Sequence, residues 1–197
     1  MNLPGSVEGD ERLRLFLAFK LPDDVVRTLT EWQARALEGR VVPPGNLHVT
    51  LAFLGSRPAT EIPAILAVLE EAAREASQPL FELLRWRETR AAGMLVLRDR
   101  TGNDRTSNDR TSNAAGLARQ LHLALAELGV YRPEARPWLP HVTVLRYRER
   151  PRLSPPLPDL GAFAPSEAAA YLSRLRPSGA RYTAPNYVLL ESFRLGG

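Results

Sequence analysis

The chain has 197 residues, of which 44% are hydrophobic, and this is enough for one sizeable core in a single domain or in two closely packed lobes. It has no cysteine, which excludes disulfides and thiolate metal sites, and its three histidines are too scattered to favour a zinc site. The formal net charge of +4 at pH 7 comes almost wholly from arginine, whose guanidinium suits phosphate oxygens, although an arginine-rich composition often reflects genomic base composition instead.

The first half of the chain alternates predicted strands and helices. Residues 13–20 and 47–54 are rich in apolar and β-branched residues and predict two strands. Between them, Pro22 and the acidic residues after it favour the start of a helix. Thr60 is expected to cap a further helix that runs to about Ala76, with an apolar stripe that faces the core.

The second half begins with two predicted strands, at residues 80–88 and 93–98. Residues 99–113 follow, and here a five-residue unit rich in Asn, Asp, Ser, Thr and Arg is repeated almost three times. Such a tract cannot repay its ordering entropy by burial, so we expect a mobile surface loop. A helix is then expected from Ala114 to Leu128, ended by Gly129.

The remaining residues predict a strand at 142–145 and a connecting loop at 151–158. In residues 166–175, Ser166 followed by Glu and three alanines favours a capped helix on local grounds, and this preference conflicts with the family resemblance described below.

The tripeptide His-Val-Thr occurs twice, at His48 to Thr50 and at His141 to Thr143, each time in a strand pattern. Side chains alternate between the faces of a strand, so each copy presents one imidazole beside one hydroxyl. Two such pairs across a cleft would supply a general base, a general acid and two hydroxyl donors. That inventory suits the attack of water on a phosphodiester, and this chemistry needs neither a metal nor another cofactor.

The flanks of the two copies, His48-Val-Thr-Leu-Ala-Phe-Leu-Gly55 and Pro140-His-Val-Thr-Val-Leu-Arg146, resemble the paired motifs of the two-histidine (2H) phosphoesterases. The most similar group is the bacterial RNA 2',3'-cyclic phosphodiesterases, also called 2'-5' RNA ligase-like. The resemblance extends over most of the chain, from the opening run at residues 13–22 to the ending at residues 171–195. The second motif departs from the family in reading Val-Leu before Arg146, where Leu-Ala is commoner.

The resemblance implies an α+β fold, with a single bilobal domain over residues 1–197. Each of its two pseudo-symmetric lobes would hold an antiparallel sheet with flanking helices, and one motif of each would line a central cleft. It also implies a strand rather than a helix near residues 168–176.

The resemblance further implies the role of each site residue. His48 would be the proton donor to the leaving oxygen and His141 the proton acceptor that activates water. Thr50 and Thr143 would bind the nonbridging phosphate oxygens. Arg146 would contact the phosphate, although a surface salt bridge explains that arginine equally well.

Two further side chains receive less direct interpretations. Phe53 is expected to pack under His48 rather than to stack on a base. His122 lies at the flank of the apolar stripe of its helix, so it is expected to be a boundary or surface residue and not a third catalytic group.

The predicted reaction is hydrolysis of the 2',3'-cyclic phosphate end of an RNA to a 2'-phosphomonoester, with 2'-5' ligation as the reverse. The alternatives are a noncatalytic module that binds RNA ends and a phosphodiesterase that acts on small cyclic nucleotides. The chain shows neither a secretory signal nor an apolar run near the roughly 20 residues of a membrane span. Cytoplasmic residence without contact to membranes is therefore expected, and a monomer is the simplest expectation for the oligomeric state.

Overall fold

The computed structural model of the protein describes residues 11–102, 111–134, 136–173 and 187–196. Within them, three α-helices pack on one antiparallel sheet of nine strands that curls into a half-barrel. The helices are α1 (Asp23–Ala36), α2 (Ile62–Glu75) and α3 (Asn113–Glu127). The strands are β1 (Arg12–Lys20), β2 (Arg40–Val41), β3 (His48–Pro58), β4 (Phe81–Glu88), β5 (Ala92–Asp99), β6 (His141–Arg146), β7 (Ala162–Phe163), β8 (Glu167–Ser173) and β9 (Tyr187–Arg194).

The two motif strands are neighbours at the centre of the sheet, whose order is β7-β4-β5-β6-β3-β1-β8-β9, with β2 beside β6. They meet through the pairing of Val49 with Val142, both of which are fully buried. Apart from β2, the sheet consists of two halves of four strands, β7-β4-β5-β6 and β3-β1-β8-β9, and each half contains one motif strand. The α+β class is thereby confirmed, and the two predicted sheets are the halves of one continuous sheet.

The helices cover the core face of this sheet with their apolar stripes, on which Leu29, Leu69 and Leu121 are fully buried. α1 lies over the β6 half, where the ring of Trp32 meets that of Trp86 at 6.5 Å. α2 and α3 pack together behind the β3 half. None of the described helices is long and apolar enough to cross a membrane, and no cluster of three or more metal-ligating side chains occurs within the described residues.

The structure decides two local predictions, the cap of α2 and the conformation of residues 166–175. Thr60 does not cap α2, because it lies in a short 3-10 turn, Ala59–Glu61, and the helix begins after it without a side-chain cap. The segment that locally favours a helix forms β8 instead, in agreement with the family resemblance. β8 is hydrogen-bonded on both sides, to β1 and to β9, and this pairing overrides the local helix preference.

The boundaries of the predicted repeat loop differ from those in the structure. Asp99 belongs to β5 and is buried, with its carboxylate accepting backbone N–H groups of Leu80, Thr101 and Ala114. Ser112 caps α3 by accepting a hydrogen bond from Ala115. Both ends of the tract are thus fixed to the core. The predicted mobility concerns mainly residues 103–110, which lie outside the described residues.

Candidate active site

A β-bulge in β3 determines which side chains share the face of the first histidine. Ala18 pairs with Thr50 and Leu17 with Ala52, so Leu51 is left without a partner in β1. Leu51 and Ala52 are therefore both buried, and the alternation of faces restarts one residue later. As a result, Phe53 lies on the face of the first motif.

β6 has a bulge at the corresponding position. Met94 pairs with Thr143 and Gly93 with Leu145, which leaves Val144 as the extra residue. Strict alternation from His141 would put Arg146 on the core face, but this bulge brings it to the face of the histidine. The segments that begin at the two histidines consequently have the same burial pattern over six residues.

Both motif histidines are held in the same tautomer. Nδ1 of His48 donates to the carbonyl oxygen of Asn46 at 2.8 Å, and Nδ1 of His141 donates to that of Leu139, also at 2.8 Å. A carbonyl oxygen only accepts, so each Nδ1 bears a proton and each neutral ring has its lone pair on Nε2. Nε2 of His48 accepts from the hydroxyl of Thr50 at 3.0 Å, whereas Nε2 of His141 makes no hydrogen bond with a described residue.

The surroundings favour the neutral form of both rings. Burial is the main cause and lowers the pKa of His48 to about 4. The hydrogen bond to Asn46 opposes this shift, while the positive charges of His141 and Arg146 add to it. Burial also lowers the pKa of His141, helped by the charges of Arg146 and Arg87. Arg146 therefore lies close enough to both imidazoles to influence their charge.

Aromatic rings surround His48, but the expectation for Phe53 was wrong. The ring that packs on His48 is that of Phe16, at 4.7 Å between centroids, with Tyr187 edge-on at 5.4 Å. Phe53 is 48% exposed, and the guanidinium of Arg14 lies 5.0 Å from its ring centre. The bulge at Leu51 explains the difference, since it places Phe53 at the cleft surface and leaves the position beside the imidazole to the neighbouring strand.

A cavity of about 460 Å³ lies beside the two motifs, lined by Thr50 and Phe53 on one side and by His141 on the other. Thr143 shares the face of His141 and is half-buried. Arg146 is exposed and forms no ion pair within the described residues, so the alternative of a surface salt bridge is not realised there. The structure thus places all five predicted site residues on one face of the sheet, and two of them, Thr50 and His141, line this cavity.

Comparison with known proteins agrees with this geometry. The family model described as LigT like Phosphoesterase matches residues 19–87. The RNA 2',3'-cyclic phosphodiesterase of Thermus thermophilus is 33% identical over 205 aligned positions, which cover 94% of this chain and 91% of the relative. The chain belongs to the LigT-like phosphoesterase family. A relative with the same name from Escherichia coli is 29% identical over 88% of this chain and 94% of its own length.

Two solved structures have the same fold. The crystal structure of E. coli LigT complexed with 3'-AMP superposes with a TM-score of 0.70 at 25% identity, covering 95% of this chain and all of that one. The crystal structure of TT0787 from T. thermophilus also gives 0.70, at 28% identity, covering 94% of this chain and 99% of that one.

Sequence reasoning missed the residues of this LigT-like phosphoesterase that fix the two bulges. Gln33 on α1 is buried, and its Nε2 donates to the carbonyl oxygens of Val144 at 2.8 Å and Val42 at 3.1 Å. His122 on α3 donates from Nε2 to the carbonyl oxygen of Leu51 at 2.8 Å. Each bulge residue, three positions after its histidine, is therefore held by one polar side chain from a helix.

His122 accordingly fits the prediction of a boundary residue, but with a defined task. Its ring stacks on Tyr131 at 4.7 Å, which orients the imidazole toward the β3 bulge. Trp138 donates its indole N–H to the carbonyl oxygen of Thr50 at 2.9 Å. Because Trp138 lies just before β6, it links the first motif to the approach of the second. For Gln33, the sequence signal was a polar residue within the apolar stripe of α1.

Removing the Gln33 amide is expected to destabilise the protein. In Gln33→Met the side-chain volume is nearly kept, but the buried carbonyl oxygen of Val42 loses a donor. We expect the free energy of unfolding in urea to fall by about 1–3 kcal/mol. Arg35→Met on the exposed side of the same helix is the control, and equal stabilities of the two variants would contradict the assignment.

Proposed function

We propose that this LigT-like phosphoesterase hydrolyses 2',3'-cyclic phosphate ends of RNA to 2'-phosphomonoesters, using its two histidines as base and acid. The observation that supports this most strongly is the matched tautomer of the two rings, with both Nδ1 atoms donating to carbonyl oxygens and both Nε2 atoms left as the basic nitrogens, that of His48 beside the hydroxyl of Thr50. The halves of the sheet then act as pseudo-symmetric lobes that each contribute one imidazole. The names of the curated relatives suggest the substrate.

His141 is proposed as the base, because its Nε2 is free of hydrogen bonds to described residues and is open to a water molecule. It removes a proton from that water while the water oxygen forms a bond to phosphorus. The bond from phosphorus to the 3' oxygen breaks, and protonated His48 gives its Nε2 proton to this oxygen. The products are a 2'-phosphomonoester and a 3'-hydroxyl, and proton exchange with solvent restores both rings.

Binding of the substrate favours the protonated form of His48, which the free enzyme disfavours. The cyclic phosphodiester is an anion, and an opposite charge nearby favours the charged imidazolium. Once Nε2 of His48 bears a proton, it no longer accepts from Thr50. The threonine hydroxyl then turns its proton to a nonbridging phosphate oxygen, where Thr143 and Arg146 also act as donors.

This reaction is tested with chelator-treated protein and a short RNA that ends in a 2',3'-cyclic phosphate. We expect the cyclic end to open and the product to become sensitive to phosphatase. Tight binding with an intact cyclic end would favour the noncatalytic module instead. Turnover of small cyclic nucleotides alone would keep the mechanism and replace the substrate.

The pH dependence is expected to differ between kcat/KM and kcat. In the active form, one of the two histidines is protonated on Nε2 and the other is neutral. The pH profile of kcat/KM reports the free enzyme, in which the pKa values of both histidines are lowered. Above both values this form decreases tenfold per pH unit, so the alkaline limb of kcat/KM should lie below pH 6.5, the unshifted pKa of histidine. The limb of kcat should lie at higher pH, because bound phosphate raises the pKa of the imidazoles. A kcat/KM limb above about pH 7 would contradict this account.

A further inference from the structure

Two arginines of β4 lie on the cleft face beside the catalytic strand. Arg85 pairs with Val96, which in turn pairs with His141. Arg87 pairs in the same way with Met94, which pairs with Thr143. Residues paired across neighbouring strands point to the same face of a sheet. Both arginines therefore share the face of the second motif, two strands away, and both line its cavity.

Neither guanidinium has a partner in the described part of the chain, although carboxylates lie on the same strand. Glu82 is taken by Arg98 and Arg100, and Glu88 by Arg150. Arg85 and Arg87 are both exposed, with no ion pair or hydrogen bond to a described residue. They add positive charge to the cleft without an evident structural task.

The rest of the cavity does not neutralise this charge. Glu134 is its one acidic lining residue among those described, and this carboxylate lies 3.4 Å from the guanidinium of Arg136, which also lines the cavity. These two charges cancel, so Arg85 and Arg87 remain as an excess of two positive charges. The field of Arg87 reaches His141, whose pKa it helps to lower. The pair thus lies near His141 and shares its face of the sheet, two strands away.

We propose that Arg85 and Arg87 form a subsite for the phosphodiester on the 5' side of the cyclic phosphate. This inference rests on the proposed function. A 2',3'-cyclic phosphate ends the RNA chain, so every other phosphate of the substrate lies on its 5' side. The strand spacing of about 4.8 Å places the Cα atoms of Arg85 and His141 about 10 Å apart, and the long arginine side chains extend into the space between. The substrate is then a polynucleotide end rather than a cyclic mononucleotide.

The test compares two substrates with the same terminal base, a nucleoside 2',3'-cyclic phosphate and the dinucleotide that adds one internal phosphodiester. For the wild type, we expect kcat/KM to be roughly tenfold or more higher on the dinucleotide, mainly through a lower KM. In Arg85→Gln/Arg87→Gln the ratio of the two values should fall close to one. Arg119→Gln, an exposed arginine on α3 outside the cavity, is the charge-matched control and should keep the wild-type ratio.

The salt dependence of RNA binding is a second measurement, and it would not change if the two arginines had only a structural role. Each phosphate contact to a single strand contributes about 0.7 to the slope of log binding constant against log salt. We expect the double variant to bind the dinucleotide product, which ends in a 2'-phosphate, with a smaller slope than the wild type. This binding measurement does not depend on turnover.

Equal kcat/KM of the wild type on both substrates, or an unchanged ratio and salt slope in the double variant, would overturn the subsite. Failure of the wild type to open either cyclic phosphate would instead remove the proposed function. In that case, the binding experiment alone decides the subsite, and an unchanged salt slope would end it.

Discussion

Replacing either motif histidine by alanine is expected to lower kcat on an RNA 2',3'-cyclic phosphate by roughly 10²–10⁴-fold, the usual contribution of a positioned acid or base. Both rings are half-buried and anchored by a single Nδ1 hydrogen bond to the backbone, so the fold should survive their removal. His122→Gln is the matched control, because glutamine keeps a donor for the carbonyl oxygen of Leu51, as Gln33 does at the other bulge. Turnover near the wild-type level in His48→Ala or His141→Ala would contradict the mechanism.

The two variants are also expected to differ, which separates acid from base. An activated aryl phosphodiester releases a phenolate that needs no proton from the enzyme. His48→Ala should therefore lose much less activity on that substrate than on RNA, whereas His141→Ala should lose activity on both. The reverse pattern would exchange the two roles and leave the two-histidine chemistry intact.

Removing the charge of Arg146 is the second large effect. We expect Arg146→Gln to lower kcat/KM by roughly 10²-fold, since in the proposed mechanism the guanidinium binds the phosphate oxygens on which charge develops. Arg146→Lys should recover part of this loss through its charge, but not the planar fork. Arg148→Gln, two residues further along and exposed, is the control.

The pH dependence of kcat/KM distinguishes a direct role of Arg146 in the site from a structural role. Its positive charge lowers the pKa of both histidines in the free enzyme. In Arg146→Gln these values should rise, and the alkaline limb of kcat/KM should move to higher pH. A loss of activity with an unmoved limb would mean that Arg146 acts on folding and not on the site.

The repeated His-Val-Thr identified the two motif strands, because a period of two correctly placed each histidine with its threonine on one face. The same period failed at Phe53 and Arg146. The bulges that reorient them consist of ordinary apolar pairs, Leu51 with Ala52 and Val144 with Leu145, which also occur in regular strands. The identical spacing of these pairs in the two copies is the only hint that the sequence offers.

The interactions that fix the bulges could not be predicted, because they join residues far apart in the chain. Gln33 reaches Val144 across 111 positions, and His122 reaches Leu51 across 71. The strand conformation of the alanine-rich β8 likewise depends on residues far away in the chain, because β8 pairs with β1 on one side and with β9 on the other. Local patterns identified the candidate catalytic side chains, whereas tertiary pairing decided which residues surround them.

In the proposed reaction, two imidazoles open the cyclic phosphate so that the 3' oxygen leaves. Phosphorus NMR of chelator-treated protein with a short RNA 2',3'-cyclic phosphate measures this directly, since the cyclic ester and the two monoesters give separate signals. We expect the cyclic signal to be replaced by that of a 2'-phosphomonoester alone, and to persist with His48→Ala or His141→Ala. A 3'-phosphomonoester, or an undiminished reaction in either variant, would contradict the account.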